Sequence, residues 1–282
     1  MKPPRISVVM PAYNSEKYIG EAIESILNQT FTDFELFVLN DSPDNKELEN
    51  IIKEYAKKDK RVKYMKNPRN LGVTESRNRL LDVCTGEYIA CMDSDDISLP
   101  TRFEKQIQYM ELHPECGVLG TWFRCFGKSD ATVRSPERVT VFSILQNRHV
   151  GNPTAIIRKS VMDKYGLRYD NAYNWCEDLE LWSRMIFLTE IHNLQEVLLR
   201  YRWYGGNVSI EHKTKQKQLT QQVQSNILNK LTDDPDIQQM LLHKPGAGIF
   251  LPRWLGYICC LFIFNRRTRH NFRDKYVKAK KR

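Results

Sequence analysis

The first hundred residues alternate between two periodicities. The runs "ISVVM" (6–10), "FELFVLN" (34–40), "VKYM" (62–65) and "EYIACM" (87–92) are short and mostly apolar, which predicts largely buried strands. Between them, 16–28, 46–58 and 74–83 have helical spacing. The first of these places Ile19, Ile23, Ile26 and Leu27 on one face. Strand–helix alternation of this length predicts an α/β fold, with a parallel sheet covered by helices on both faces.

Farther along, Pro100 suits the first turn of a helix running to about His113, and "GVLGTWFRCF" (117–126) reads as a further strand. The pattern weakens from Gly127 to Val150, where one short helix near 139–147 is expected. A strand at 154–158, helices at 159–165 and 177–188, a strand pair across 191–203 and mainly polar helices over 212–243 complete the pattern. No internal repeat is present. The expected organisation is a domain over 1–210, divided into halves 1–127 and 128–210, then a helical extension over 211–248 and a tail over 249–282.

An open α/β sheet binds its ligands beyond the carboxyl ends of the strands. Those ends lead into "PAYNS" (11–15), "DSPDN" (41–45), "NPRNLG" (67–72) and "DSDD" (93–96), all polar and rich in turn formers. In "DSDD" three aspartates fall within four residues directly after an apolar run, and their mutual repulsion works against folding. If the segment is extended, Asp93 and Asp95 point one way and Ser94 the other. Two such carboxylates suit Mg²⁺ or Mn²⁺, hard cations that take oxygen ligands and share them with substrate phosphates. The alternative is helix capping, for which Asp96 stands ahead of "ISLPTRFEKQI".

In order and spacing, "VVMPAYN", "LNDSPDN", "NLGVTESRN", "MDSDD" and "WCEDLELWSR" resemble the family 2 glycosyltransferases, which have the GT-A fold, over roughly residues 5–210. The stretch "GNPTAIIRKSVMDKYGLRYD…WCEDLELWSR" looks especially like bacterial transferases that build lipopolysaccharide or capsular glycans. The resemblance implies an inverting, metal-dependent enzyme. It would move a hexose or N-acetylhexosamine from a UDP-sugar to a lipid-linked lipopolysaccharide, O-antigen or capsule glycan. It makes Asp95 the principal Mn²⁺ or Mg²⁺ ligand, with Asp93 on the ribose or in the metal shell and Ser94 among the nucleotide contacts.

The same resemblance distributes further roles. Pro11, Ala12 and Tyr13 would line the nucleoside, although they also read as a strand-to-helix turn with Asn14 or Ser15 as N-cap. Asp41 would accept the uracil N3–H by a charge-assisted bond, or belong to an ordinary turn. The family turn usually has Gly where this chain has Ser42-Pro43. Asn70 and Arg77 would contact the nucleotide, with Gly72 permitting the tight turn. The plain alternative for Arg77 is a surface salt bridge, and Arg79 reads as a solvated charge. Asp178 would be the general base, with Glu177 orienting the acceptor and Trp175 beside it, though acidic residues there also suit a helix dipole. Relatives often carry a histidine in a motif like Tyr-Arg-x-His. Here Tyr204 takes that place, and a neutral phenol is a poor Mg²⁺ ligand. That leaves Arg202, Asn207 or Ser209 to handle the diphosphate.

Charge changes the picture only at the C-terminal end. Of the net charge of +9, +8 lies in residues 265–282, so the main body is nearly neutral. The apolar run from Trp254 to Phe264 is eleven residues, short of the ~20 that span a bilayer. Next to the basic stretch it suits an interfacial anchor on the inner face of the cytoplasmic membrane; a C-terminal helix packed on the domain is the alternative. Seven scattered cysteines without metal spacing read as free thiols in a reducing compartment. The N-terminal apolar run is too short for a signal peptide, so a cytoplasmic, membrane-peripheral protein is expected. A nucleotidyltransferase would need a Gly-rich loop after the first strand, and none occurs before Gly20. A nucleic-acid binder using the tail leaves the strand-end carboxylates unexplained, so no nucleic-acid partner is expected. A non-catalytic GT-A partner protein remains an alternative.

Overall fold

A computed structural model describes residues 3–204 and 212–231 of the chain. At its centre β1 (Ile6–Ala12) is buried on both faces. Ile6, Val8 and Met10 join one apolar cluster and Val9 the opposite one, as a two-residue period requires. β2 (Phe34–Asn40) and β4 (Tyr88–Cys91) flank β1 in parallel, in registers such as Met10↔Val38 and Val9↔Cys91, and β3 (Val62–Lys66) adds to β2. The intervening helices are α1 (Ile19–Leu27), α2 (Lys46–Lys58) and α3 (Val73–Val83). α1 buries Ile19, Ala22, Ile23 and Ile26. α2 starts at Asn45, whose side chain accepts the Leu48 N–H at 3.0 Å. Glu47 and Glu49 in its first turn and Lys57 and Lys58 in its last complement the helix dipole.

The second half begins with β5 (Ile97–Ser98), α4 (Arg102–Leu112), β6 (Cys116–Gly127), β7 (Thr132–Val133), β8 (Arg138–Val139) and α5 (Val141–Leu145). It continues with β9 (Ile156–Arg158), α6 (Lys159–Tyr165), α7 (Glu177–Met185), β10 (Glu190–Trp203) and α8 (Lys213–Leu231). The strand order is β3-β2-β1-β4-β9-β6-β10-β5, with β7 on β6 and β8 on β10. Because β9 runs antiparallel to both β4 and β6, the sheet is mixed, and a parallel sheet describes only its first half. The α/β class expected from the pattern stands.

Two element expectations are corrected. The strand pair across 191–203 is one strand. Its register against β6 shifts between Leu194 and Val197 and again before Leu199, so bulges absorb the polar residues that resemble a turn. The strand expected from 154 begins at Ile156, because Asn152–Thr154 forms a 3₁₀ turn. α8 is polar by composition, yet Leu219, Val223, Ile227 and Leu228 are buried in the same cluster as Leu181, Trp182 and Met185 of α7. Its apolar face therefore belongs to the core. The five described cysteines are free and buried. Among the described residues no helix is long and apolar enough to cross a membrane. The tail, with its proposed membrane role, lies outside the described residues.

Candidate active site

The sheet reverses its direction of growth between β1 and β4, and the loops after their carboxyl ends flank the crevice formed there. β1 runs on through Pro11 and Ala12. The missing N–H of Pro11 costs no ladder bond to β4, because the last β1–β4 pair is Val9↔Cys91. Tyr13 follows, 56% exposed. Asn14 takes a left-handed φ of 46°, a conformation asparagine tolerates, and its N–H donates to Ser42 Oγ at 2.9 Å. Neither the Asn14 nor the Ser15 side chain caps α1: the N-cap is Tyr18, without a side-chain cap bond, and Ser15 contributes its carbonyl, which accepts the Tyr18 and Ile19 N–H groups.

Asp41 is 3% exposed and organises the neighbouring loop. Its Oδ1 accepts Asn67 Nδ2 at 2.6 Å and the Leu71 N–H at 2.8 Å, and its Oδ2 accepts the Gly72 N–H at 2.9 Å. Gly72, at φ +83°, holds the turn that starts α3, and Asn70 Oδ1 also accepts its N–H. Asp41 is thus more than a turn residue, and one lone pair of Oδ2 is left to it. Arg79 is not a solvated charge, since its guanidinium donates to Asn67 Oδ1.

The segment after β4 is a turn, closed by a weak 3.4 Å bond from Asp96 N–H to Asp93 O, and not the extended stretch expected. Asp93 and Asp95 nonetheless stay close enough to repel. Burial, and then Asp93, push the Asp95 carboxyl up to about 6. Asp96 is fully buried and does not cap α4, whose N-cap is Thr101. Its Oδ1 accepts the Arg202 N–H at 2.8 Å while its Oδ2 is buried without a partner. Burial and the two neighbouring carboxylates raise its pKa well above the ordinary value. Ser94 is buried.

Arg77 is neither a surface charge nor open to the crevice. Only 7% of its side chain is exposed, and it bridges two of the acidic motifs. Nη2 donates to Asp93 Oδ1 at 3.0 Å, and Nη1 is paired with Glu177 Oε1. Burial works against its charge, but Glu177 and Asp93 outweigh it and hold the guanidinium above its ordinary pKa. Glu177, 5% exposed, is raised by burial against the pull of Arg77, and its Oε2 has no partner. Glu177 is therefore the internal counter-ion of Arg77 in this structure. Asp178, next in sequence, is only half-buried, and its Oδ1 accepts the Leu179 N–H at 2.7 Å. Trp175 has a left-handed φ of 73°, stacks on His212 at 4.2 Å and accepts Gln216 Nε2 on its carbonyl at 2.9 Å.

Tyr204 does reach the carboxylate turn. Its phenol hydrogen-bonds the Asp95 side chain and its ring lies 5.5 Å from that of Tyr18. Arg202 is engaged by Asp95 O, Asp96 and Glu21. Asn207 and Ser209 lie outside the described residues. Sequence reasoning missed Asn67, Tyr169 and Glu21. Tyr169 is buried under the Arg77 guanidinium, 5.7 Å from it, and an isolated tyrosine in "GLRYD" gives no signal of that contact.

The donor set fits a hard divalent cation. Asp95 and Asp96 carry raised pKa values because burial disfavours their charged forms and the neighbouring carboxylates add repulsion. Among the described residues no three His, Cys, Asp or Glu side chains are grouped to hold a metal. A cation here would take two protein carboxylates and complete its shell from phosphate and water.

Residues 7–166 match the model of Glycosyl transferase family 2. The chain belongs to that family. An uncharacterized glycosyltransferase of Methanocaldococcus jannaschii is 37% identical over 225 residues, covering 77% of each chain. The O-antigen biosynthesis glycosyltransferase WbnJ of Escherichia coli is 35% identical over 222 residues, 75% of this chain and 82% of the relative. Among solved structures, S. aureus TarS 1–349 in complex with UDP-GlcNAc aligns with a TM-score of 0.68 at 21% identity, over 93% of this chain and 74% of that one. This family 2 glycosyltransferase accordingly has the GT-A fold expected from its motifs.

Proposed function

We propose that this family 2 glycosyltransferase moves a sugar from a UDP-sugar to a hydroxyl of a lipid-linked surface glycan, such as an O-antigen or capsule intermediate, with inversion. The observation that carries the reading is the Asp93–Arg77–Glu177 bridge, which fixes the carboxylate turn against the start of α7, where Asp178 stands. In this reading the bridge keeps the donor site near the candidate base. The UDP in the TarS complex and the role named for WbnJ support the donor and acceptor classes.

In this reading Tyr13 faces the base from the loop after β1, and Asp41 offers its remaining lone pair to the uracil imide. Asp93 and Asp95 would hold Mn²⁺ or Mg²⁺, which supplies Lewis-acid stabilisation of the diphosphate leaving group. Asp178 takes the proton of the acceptor hydroxyl; the oxygen attacks the anomeric carbon in line, and the bond to the diphosphate oxygen breaks with its electron pair going to UDP. A single displacement turns an α-linked donor into a β-linked product. Half-burial suits Asp178 to this task, because its carboxylate meets substrate while the neighbouring Glu177 is sealed against Arg77. The apolar–basic segment 249–282 would bring the enzyme to the inner membrane face, where lipid-linked acceptors reside.

The test is a panel of UDP- and GDP-sugars, each with and without Mn²⁺, read by thermal stabilisation and by nucleotide release. Metal-dependent stabilisation and turnover with one UDP-sugar are expected. Stabilisation by GDP-sugars alone, or with no need of metal, would refute the assignment.

A further inference from the structure

The carboxylate turn has an outer side, and one residue holds it. β10 pairs antiparallel with β5 through Leu199↔Ser98 and Arg200↔Ile97, which brings the next residues of β10 alongside Asp95 and Asp96. There the ladder is continued by side chains. The Arg202 N–H donates to the Asp96 carboxylate at 2.8 Å, and Arg202 Nε donates to the Asp95 carbonyl at 2.7 Å. Nη2 pairs with Glu21 of α1 at 2.5 Å, and the guanidinium lies 4.5 Å from the centroids of both Tyr18 and Phe126. Only 14% of the side chain is exposed.

We propose that Arg202 is a positioning residue: it fixes the backbone of the carboxylate turn from behind, so that Asp93 and Asp95 keep their aim into the crevice, and it does not itself bind diphosphate. The inference rests on the reading of Asp93 and Asp95 as the cation-holding pair.

The physical need for such a clamp is evident in the turn. Three carboxylates in four residues repel, and the turn's own closing bond is long at 3.4 Å. The nearby buried cation Arg102 bonds the Cys91 carbonyl at 2.8 Å and Gln106, not a carboxylate of the turn. The restraint on Asp95 O and Asp96 therefore comes from β10. An arginine is required because one planar group must donate in two directions while lying close to two rings. A lysine ammonium lacks the fixed fork and the flat faces.

The experiment compares Arg202→Gln, Arg202→Lys and Glu21→Gln with the unaltered full chain. Amide hydrogen exchange at residues 93–98 is followed without nucleotide or metal, and UDP binding is measured by calorimetry in EDTA and in Mn²⁺. R202Q should speed exchange at the turn at least tenfold. It should also weaken Mn²⁺-dependent UDP binding about tenfold, while binding in EDTA stays within twofold. R202K should behave like R202Q. E21Q, whose side chain is on the surface and whose folding is not at risk, should shift the same two readouts about threefold. Weaker UDP binding in EDTA with unchanged exchange would make Arg202 a direct anion contact and overturn the proposal. So would an E21Q protein identical to the parent in both readouts. Asp95→Asn separates the two layers: if it binds UDP with Mn²⁺ as tightly as the parent, the metal reading fails, whereas the exchange result on R202Q still decides the clamp.

Discussion

Asp95 lets function be weighed against stability. An aspartate ordinarily titrates near 3.8, and burial with the neighbouring Asp93 takes Asp95 to about 6 in the folded chain. Between those values the folded chain binds the proton more tightly than the unfolded one, so raising the pH through this window destabilises the fold. At pH 7 both states are ionised, and the whole cost is present, about 3 kcal/mol. Asp95→Asn removes the charge and retains an oxygen that can accept from Tyr204. In EDTA at pH 7 it should therefore be more stable than the parent by up to about 3 kcal/mol, or about 6–12 °C in melting temperature for a chain of this size. At pH 4.5 the advantage should shrink to about 1 kcal/mol, because the parent carboxyl is then largely protonated in the folded state. With Mn²⁺ and UDP the order should reverse, since only the parent gains binding free energy. Chemical denaturation of both proteins at the two pH values, with and without ligands, makes the measurement. An Asn variant less stable than the parent at pH 7 in EDTA, or an advantage independent of pH, would show that the carboxylates do not carry the strain described.

Asp178→Asn should lower kcat by about 10²–10⁴-fold with UDP affinity unchanged within twofold, measured by nucleotide release and calorimetry; near-normal turnover would remove Asp178 as the base. Arg77→Met leaves Glu177 buried beside Asp93 and Asp178 without its partner, and should cost about 3–5 kcal/mol in urea unfolding. The double variant with Glu177→Leu should recover a large part of that loss, because a buried pair replaced by apolar groups leaves no orphan charge. Asp41→Asn sets an amide among three donors and should cost about 1–3 kcal/mol, with UDP affinity falling as the 67–72 loop loosens. Unchanged unfolding would show that the Asp41 bonds to Leu71, Gly72 and Asn67 carry little of the loop's order.

Much of this protein was legible in one dimension. The short apolar run of β1 and the apolar stripe of α1 are local properties, and the pattern predicted their elements within a few residues of the observed bounds. The polar strand ends pointed to the carboxyl edge of the sheet as the place for ligands, because parallel strands leave that edge free. The five motifs named the family.

What the chain alone did not decide are contacts between distant segments. Arg77 lies 16 residues from Asp93 and 100 from Glu177, and only the tertiary fold, which brings all three side chains together, makes it their shared counter-ion. Asp96 reads as a helix cap by sequence, yet the arrival of β10 turns it into a buried acceptor for Arg202, 106 residues away. The bulges of β10 escaped notice for the same reason: its polar residues look like a turn until β6 lies alongside. Periodicity and turn chemistry act over a few residues and are written in the sequence. Which charges neutralise one another depends on distances that exist only once the sheet has closed.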